Sequence, residues 1–184
     1  MSTRKRFSAL IGAGVLAATL AACSGTPGAA LVVDGQATSV AEVQTAYEQV
    51  GPIFSGATFG DFVTTLVQQS AYRTVTDDLG VAYSDQQLTE LYQETAPSVP
   101  GLDPDTELTA ASLDILRYSV VVTALKQATV EQQAAVQAAV QEELANSDIE
   151  VNPRYGQLDT TGTVTPAAYS WIVPTETDPA FVTQ

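Results

Sequence analysis

The chain contains no histidine, and its 184 residues include one cysteine, one methionine and one tryptophan. Without histidine there is no imidazole general base, no imidazole ligand for zinc and no switch that titrates near neutrality. A single cysteine, Cys23, excludes an internal disulfide, a paired-cysteine redox motif and a cysteine metal cluster. Positive charge is equally scarce, with seven Lys and Arg against 21 Asp and Glu, and three of those seven are Arg4, Lys5 and Arg6. Removing residues 1–22 takes those three and no acid, and moves the formal net charge from −14 to −17. A surface so acidic repels phosphates and anionic headgroups, which disfavours nucleic-acid binding and electrostatic docking to a membrane. No glycine-rich phosphate-binding loop is present, so no nucleotide is expected either. The length suits one domain with a real core and hardly two.

What is present begins with the N-terminus. Arg4-Lys5-Arg6 is a basic stretch, and the apolar run from Leu10 to Leu20 that follows is too short to cross a bilayer comfortably. Together they have the layout of a secretory signal peptide, assigned to residues 1–22. Leu20-Ala21-Ala22-Cys23 resembles the lipobox of bacterial lipoproteins. That resemblance implies diacylglyceryl modification of the Cys23 thiol and cleavage between Ala22 and Cys23. An ordinary signal peptide is the alternative, but the lone cysteine stands at the one position where a lipobox needs it. Two acyl chains hold a protein stably to a membrane where one does not. The expected location is therefore the extracytoplasmic face of the cell membrane, with residues 23–30 as a small-residue tether.

The rest of the chain reads as helices punctuated by capping signals. The apolar run Ala29 to Val33 is read as a short strand stopped by the turn pair Asp34-Gly35. Ser39-Val40-Ala41-Glu42 is a capping box, and Val40, Val43, Tyr47 and Val50 follow at helical spacing until Gly51-Pro52. A second helix over 58–79 carries Phe59, Phe62, Val63, Leu66, Val67 and Ser70 as its buried stripe, with Gly80 as C-cap. Ser84 to Gln87 opens a third, short helix bearing Leu88, Leu91 and Tyr92. Prolines between 97 and 104 break the chain, and a fourth helix over about 109–127 is expected to face inward through Leu113, Leu116, Val120 and Ala124. Thr129 to Gln132 caps a fifth helix reaching about Asn146, with Val136, Val140 and Leu144 on one side. Ile149-Glu150-Val151 alternates like a second strand. Residues 159–184, rich in Thr and Pro, are expected to form an irregular or disordered tail whose aromatic stretch docks back on the body.

The order of these pieces resembles the chaperone module of SurA-type extracytoplasmic foldases, shared distantly by PrsA and trigger factor. The residues that carry the resemblance are Leu31-Val32-Val33-Asp34-Gly35-Gln36, Tyr83-Ser84-Asp85-Gln86-Gln87-Leu88 and Ile149 through Gly156. The last of these is similar to the closing stretch of SurA-like lipoproteins of high-GC Gram-positive bacteria. The resemblance covers roughly 29–158 and implies a mainly α fold, a single helical domain over 31–158 whose ends pair as two strands, 31–33 with 149–151. It also implies binding of unfolded or exported proteins. Relatives with prolyl isomerase activity insert a histidine-bearing parvulin domain before the closing segment, and this chain has neither the length nor the histidines for one. The expectation is a non-enzymatic chaperone or holdase without a cofactor, or else an envelope adaptor for one folded partner.

Asp103, Asp105, Glu107 and Asp114 partly mimic a calcium loop, but Leu108 stands where the loop needs glycine, and acidic residues leading into a helix are the simpler explanation. Asp77-Asp78 and Glu142-Glu143 are adjacent on helices and cannot face one another as acid–base pairs. Lys126, the one lysine after the leader, has no catalytic motif around it. No catalytic or metal-ligating residue is assigned. Phe54 and Phe59, flanking a glycine-containing connection, are the candidate client-binding residues, whereas Phe62 is expected in the core. Arg73 and Arg117 are expected to pair with carboxylates, and Arg154 and Tyr155 to brace the end of the last strand.

Overall fold

In a computed structural model, residues 26–78 and 82–166 are described. The signal segment, Ala22, Cys23 and Gly80 lie outside the described residues, as does the aromatic part of the tail from Tyr169 to Phe181. The fold is mainly helical, with a small antiparallel sheet at one side, as the sequence implies.

Strand β1 (Ala29–Val33) and strand β2 (Gln36–Ser39) form a hairpin around Asp34 and Gly35. Both turn residues take positive φ, 49° and 79°. That is the mirror-image turn whose twist matches the flanking strands, and Asp-Gly is one of the pairs that adopts it readily. The sequence reading took this pair only as a stop, and so missed β2. Asp34 also clamps the hairpin to the far end of the chain. Its backbone N–H donates to the Asp148 carbonyl at 2.8 Å, and its Oδ1 accepts from the Asp148 N–H at 2.8 Å. Strand β3 (Ile149–Val151) then pairs antiparallel with β1, Leu31 opposite Val151 and Val33 opposite Ile149. The expected pairing of 31–33 with 149–151 is present, but within a three-stranded sheet of order β2-β1-β3 rather than a pair. Ala29 and Ala30 belong to β1 and are buried, so the tether expected over 23–30 stops short of them.

Five helices follow the predicted order. Helix α1 (Val40–Val50) has the full Ser39–Glu42 capping box and buries Val43, Ala46 and Val50. A 3-10 turn over Gly51–Ile53 leads to α2 (Phe59–Asp78), whose start is fixed by a reciprocal bond pair between Thr58 and Asp61. Helix α3 (Asp85–Thr95) is capped by Ser84 and buries Leu88 and Tyr92, leaving Leu91 exposed. Helix α4 (Ala110–Leu125) is capped by Thr109, and α5 (Val130–Asn146) by Thr129. The main core joins β1, α1, the first half of α2, α3 and α4, around Val43, Phe62, Val63, Val67, Leu88 and Tyr92. A smaller cluster of Ala71, Val75, Val136 and Val140 fastens α5 to the second half of α2.

The inward face of α4 differs from the expected one. Ala111, Ser112, Ile115, Leu116, Arg117 and Val121 are buried, Leu113 and Val120 are half-buried, and Ala124 is exposed. This helix packs against α1, α2 and α3 at once. A helix with neighbours on several sides is apolar around much of its girth, so a single stripe is not its signature. Ser112 tolerates complete burial because Gln49 reaches across from α1. The Gln49 Oε1 accepts from the Ser112 hydroxyl at 2.6 Å and from the Thr109 N–H at 3.1 Å, and its amide nitrogen donates to the Glu107 carbonyl at 3.0 Å.

The domain also runs past its expected end at 158. Strand β4 (Gln157–Leu158) pairs with β5 (Val164–Thr165), and the hairpin lies against α2, where the Val164 N–H donates to the Thr64 hydroxyl at 3.0 Å. Asp159 holds the turn by accepting from the N–H groups of Thr161 and Thr163 and from the Thr161 hydroxyl, bonds that draw its carboxyl below the usual range. Residues 159–166, read from the sequence as the start of an irregular tail, are thus part of the folded body. A run of Thr and Gly gives no period to detect, but Asp at a turn entry is a recurrent device.

Candidate functional site

The first half of α2 meets α4 at a shallow groove of about 240 Å³. Its floor is apolar, made by Phe54, Ala57, Phe62, Ile115, Tyr118 and Val122, and Asp61 and Lys126 stand on its rim. Aromatic contacts set the floor from below. Phe62, 2% exposed, receives Tyr47 and Phe54 edge-on, with ring centroids 5.2 and 6.2 Å away. The Tyr47 hydroxyl donates to the Ala57 carbonyl at 3.3 Å, which ties the connection between α1 and α2 to the same cluster. On the α4 side Tyr118 bonds to the Gln68 carboxamide oxygen, and its ring meets Tyr72 edge-on at 5.3 Å. Burial and the neighbouring Tyr72 push the Tyr118 phenol up to about 12, so it stays a neutral donor under physiological conditions.

The two phenylalanines singled out from the sequence go to different places. Phe54 is half-buried and lines the groove. Phe59, also half-buried, lies against the Tyr155 ring at 4.8 Å and does not line the groove. The Tyr155 ring, expected with Arg154 to brace the end of the last strand, packs on Phe59 at the start of α2. Sequence reasoning did not identify the α4 wall, Ile115, Tyr118 and Val122. Its expected stripe put Leu113 and Ala124 inward instead, and the Val120-Val121-Val122 run gave no sign of which valine faces the groove. Lys126, inside the helix expected over about 109–127, is the C-cap of α4 and lines the groove.

A second polar assembly lies where α3 joins α4. Arg117 is 8% exposed, pairs with Asp85 at 2.5 Å and with Asp114, and donates from Nε to the Tyr83 carbonyl at 3.3 Å. Burial pushes the Asp114 carboxyl up, against the pull of Arg117 and Arg73. Arg117 thus pairs with carboxylates as expected. Arg73 makes no ion pair within 4.0 Å among the described residues. Asp114 is committed to Arg117, and Asp103 organises its own loop, its Oδ1 accepting from the Asp105 N–H and its carbonyl from the Tyr92 hydroxyl. Among the described residues no group of three carboxylates converges as a metal site would require.

The groove combines apolar and polar lining residues from the α1–α2 connection, α2 and α4. It offers an apolar floor, a hydroxyl-bearing edge at Thr65, Ser119 and Thr123, and one charge of each sign at the rim. No helix among the described residues is long and apolar enough to cross a membrane. No family model, curated protein or solved structure matches the chain.

Proposed function

We propose that this protein is a non-enzymatic holdase that binds apolar segments of exported proteins in the groove between α2 and α4. In this reading it is held through Cys23 at the extracytoplasmic face of the membrane as a lipoprotein of the SurA-type chaperone kind, without an isomerase domain. The observation that carries the proposal is the groove itself, in which part-exposed Phe54, Ala57 and Val122 lie over buried Phe62 and Ile115 on a strongly acidic protein. Burying apolar client surface yields roughly 25 cal/mol per Å². A floor of this size therefore binds a few side chains transiently, and does not rival a client's own core. Net negative charge keeps the loaded complex dispersed.

The test is light scattering from a denatured, aggregating client titrated with the soluble form that begins at Ser24. Suppression near equimolar ratio, weakened by Phe54→Ser but not by Leu91→Ser on the exposed side of α3, supports a holdase. Failure to suppress aggregation of several unrelated clients sinks it, and points to an adaptor that binds one folded partner.

A further inference from the structure

The groove between α2 and α4 lies beside the point where the described chain ends. Gly162 sits next to Gln68 of α2, and two residues later the Val164 N–H donates to the Thr64 hydroxyl at 3.0 Å. The β5 segment therefore runs along α2 towards its N-terminus, and exposed Thr165 and Pro166 close the described chain. Asp61 and Thr65, on either side of Thr64 in the helix, both line the groove. With a rise of about 1.5 Å per residue, the exit stands within one helical turn of the rim. Trp171 is seven residues beyond Val164, a reach of about 23 Å in extended chain. The α4 wall from Tyr118 to Lys126 is only about 12 Å long, so the chain that follows β5 can span it.

The composition of that chain fits the lining. Residues 167–175 carry no charge and include Tyr169, Ile172, Val173 and the one tryptophan of the protein, Trp171. At about 240 Å³ the groove is smaller than the roughly 300–1,000 Å³ of a small-molecule site, and suits one large side chain with its neighbours alongside. A buried indole needs an acceptor for its N–H, and the hydroxyls of Thr65, Ser119 and Thr123 line the groove's edge. Glu176 and Asp178 are the first acids after the apolar run, and exposed Lys126 makes no ion pair among the described residues. We propose that residues 169–173 of this same chain are the resident occupant of the groove, folding back over Thr65 to seat the Trp171 indole against Phe54 and Val122. Glu176 then meets Lys126 at the far end. A short tether gives an effective concentration of roughly 1 mM, so a segment of sub-millimolar intrinsic affinity is docked most of the time. This rests on the reading of the groove as a site for apolar segments, and it deepens that reading: a client must displace the tail to bind.

The experiment reads Trp171 fluorescence in the chain that begins at Ser24, with no client present, beside a peptide of residues 167–175 alone. The expected result is a blue-shifted emission and about threefold slower acrylamide quenching than in the peptide, both unchanged over about a hundredfold dilution because the contact is intramolecular. Val122→Glu should return emission and quenching to the values of the peptide, with helicity unchanged by circular dichroism. Should Val122→Glu fail to fold, the double variant Thr123→Glu with Lys126→Glu alters two exposed lining positions and should release the tryptophan in the same way. The proposal is overturned by a tryptophan as accessible as in the peptide, by protection that the folded groove variants leave intact, or by protection lost on dilution, which would assign the contact to a second copy. The holdase reading fails separately, in aggregation assays: a docked tryptophan with no suppression of aggregation refutes that reading alone, and suppression with an exposed tryptophan refutes the tail alone.

Discussion

Replacing Arg117 by methionine tests the electrostatics of the domain with a definite sign. The substitution keeps the side-chain length and removes the buried guanidinium, leaving Asp114 without its hydrogen-bonded partner and the Tyr83 carbonyl without its donor. Breaking a fully buried pair costs about 3–5 kcal/mol. Here the Asp85 side chain is 73% exposed, so solvent screens its half and that contact adds little. Asp114, with 31% of its side chain exposed, carries the effect, and the expected loss near pH 7 is about 2–3 kcal/mol. The pH dependence discriminates further. Burial already raises the Asp114 carboxyl above its ordinary 3.8, so the native state holds that proton more tightly than the unfolded chain does. Its ionisation therefore penalises folding, a penalty absent below the unfolded pKa and complete above the folded one. Removing Arg117 raises the folded pKa further and enlarges that penalty. The deficit of the variant, measured by urea unfolding, should shrink as pH falls from neutrality into the acid range, as Asp114 takes up its proton. A deficit that is constant or grows on acidification would refute the reasoning.

Three further outcomes follow from local geometry. Gly156→Ala places a Cβ 2.2 Å from the Thr165 carbonyl oxygen at a residue with φ of +139°, so the β4–β5 hairpin should detach from α2, read as rapid amide exchange at Val164 with the helical core still protected. Ser39→Ala removes one arm of the α1 capping box and should cost about 1 kcal/mol in urea unfolding. Phe62→Leu keeps the burial but loses two edge-on ring contacts, for an expected cost of about 1–3 kcal/mol, visible as a lower midpoint with unchanged urea dependence.

Elements with punctuation were the legible ones. Ser39, Ser84 and Thr129 each announce a helix with a residue able to close the box three positions later, and all three boxes are formed. The apolar spacing of α1 and α5 gave Val43, Val50, Val136 and Val140 as buried, because each helix presents one side to the core, though it passed over Ala46. Where the physics is not periodic, sequence was silent. The inward face of α4 was displaced because that helix has partners on several sides. Gln69 sits in the buried stripe of α2 beside Leu66 and Val67, where an apolar residue would be expected, and only the packing of the sheet above it reveals the burial. Strand β2 and the β4–β5 hairpin are short and polar, and their pairing depends on turn geometry at Asp34-Gly35 and Asp159. The groove was half legible: Phe54 and Phe59 were both marked by flanking the glycine-containing connection, but only Phe54 lines the groove, whereas Phe59 faces Tyr155.

The most direct measurement of the central claim is the affinity of a fluorescent apolar peptide for the protein and for its Val122→Glu variant, with folding of both checked by circular dichroism. Val122 lines the groove on α4, so a carboxylate there wets the apolar floor. The account predicts saturable binding to the protein and at least a tenfold loss in the variant with helicity unchanged. Equal affinity for the two would contradict it.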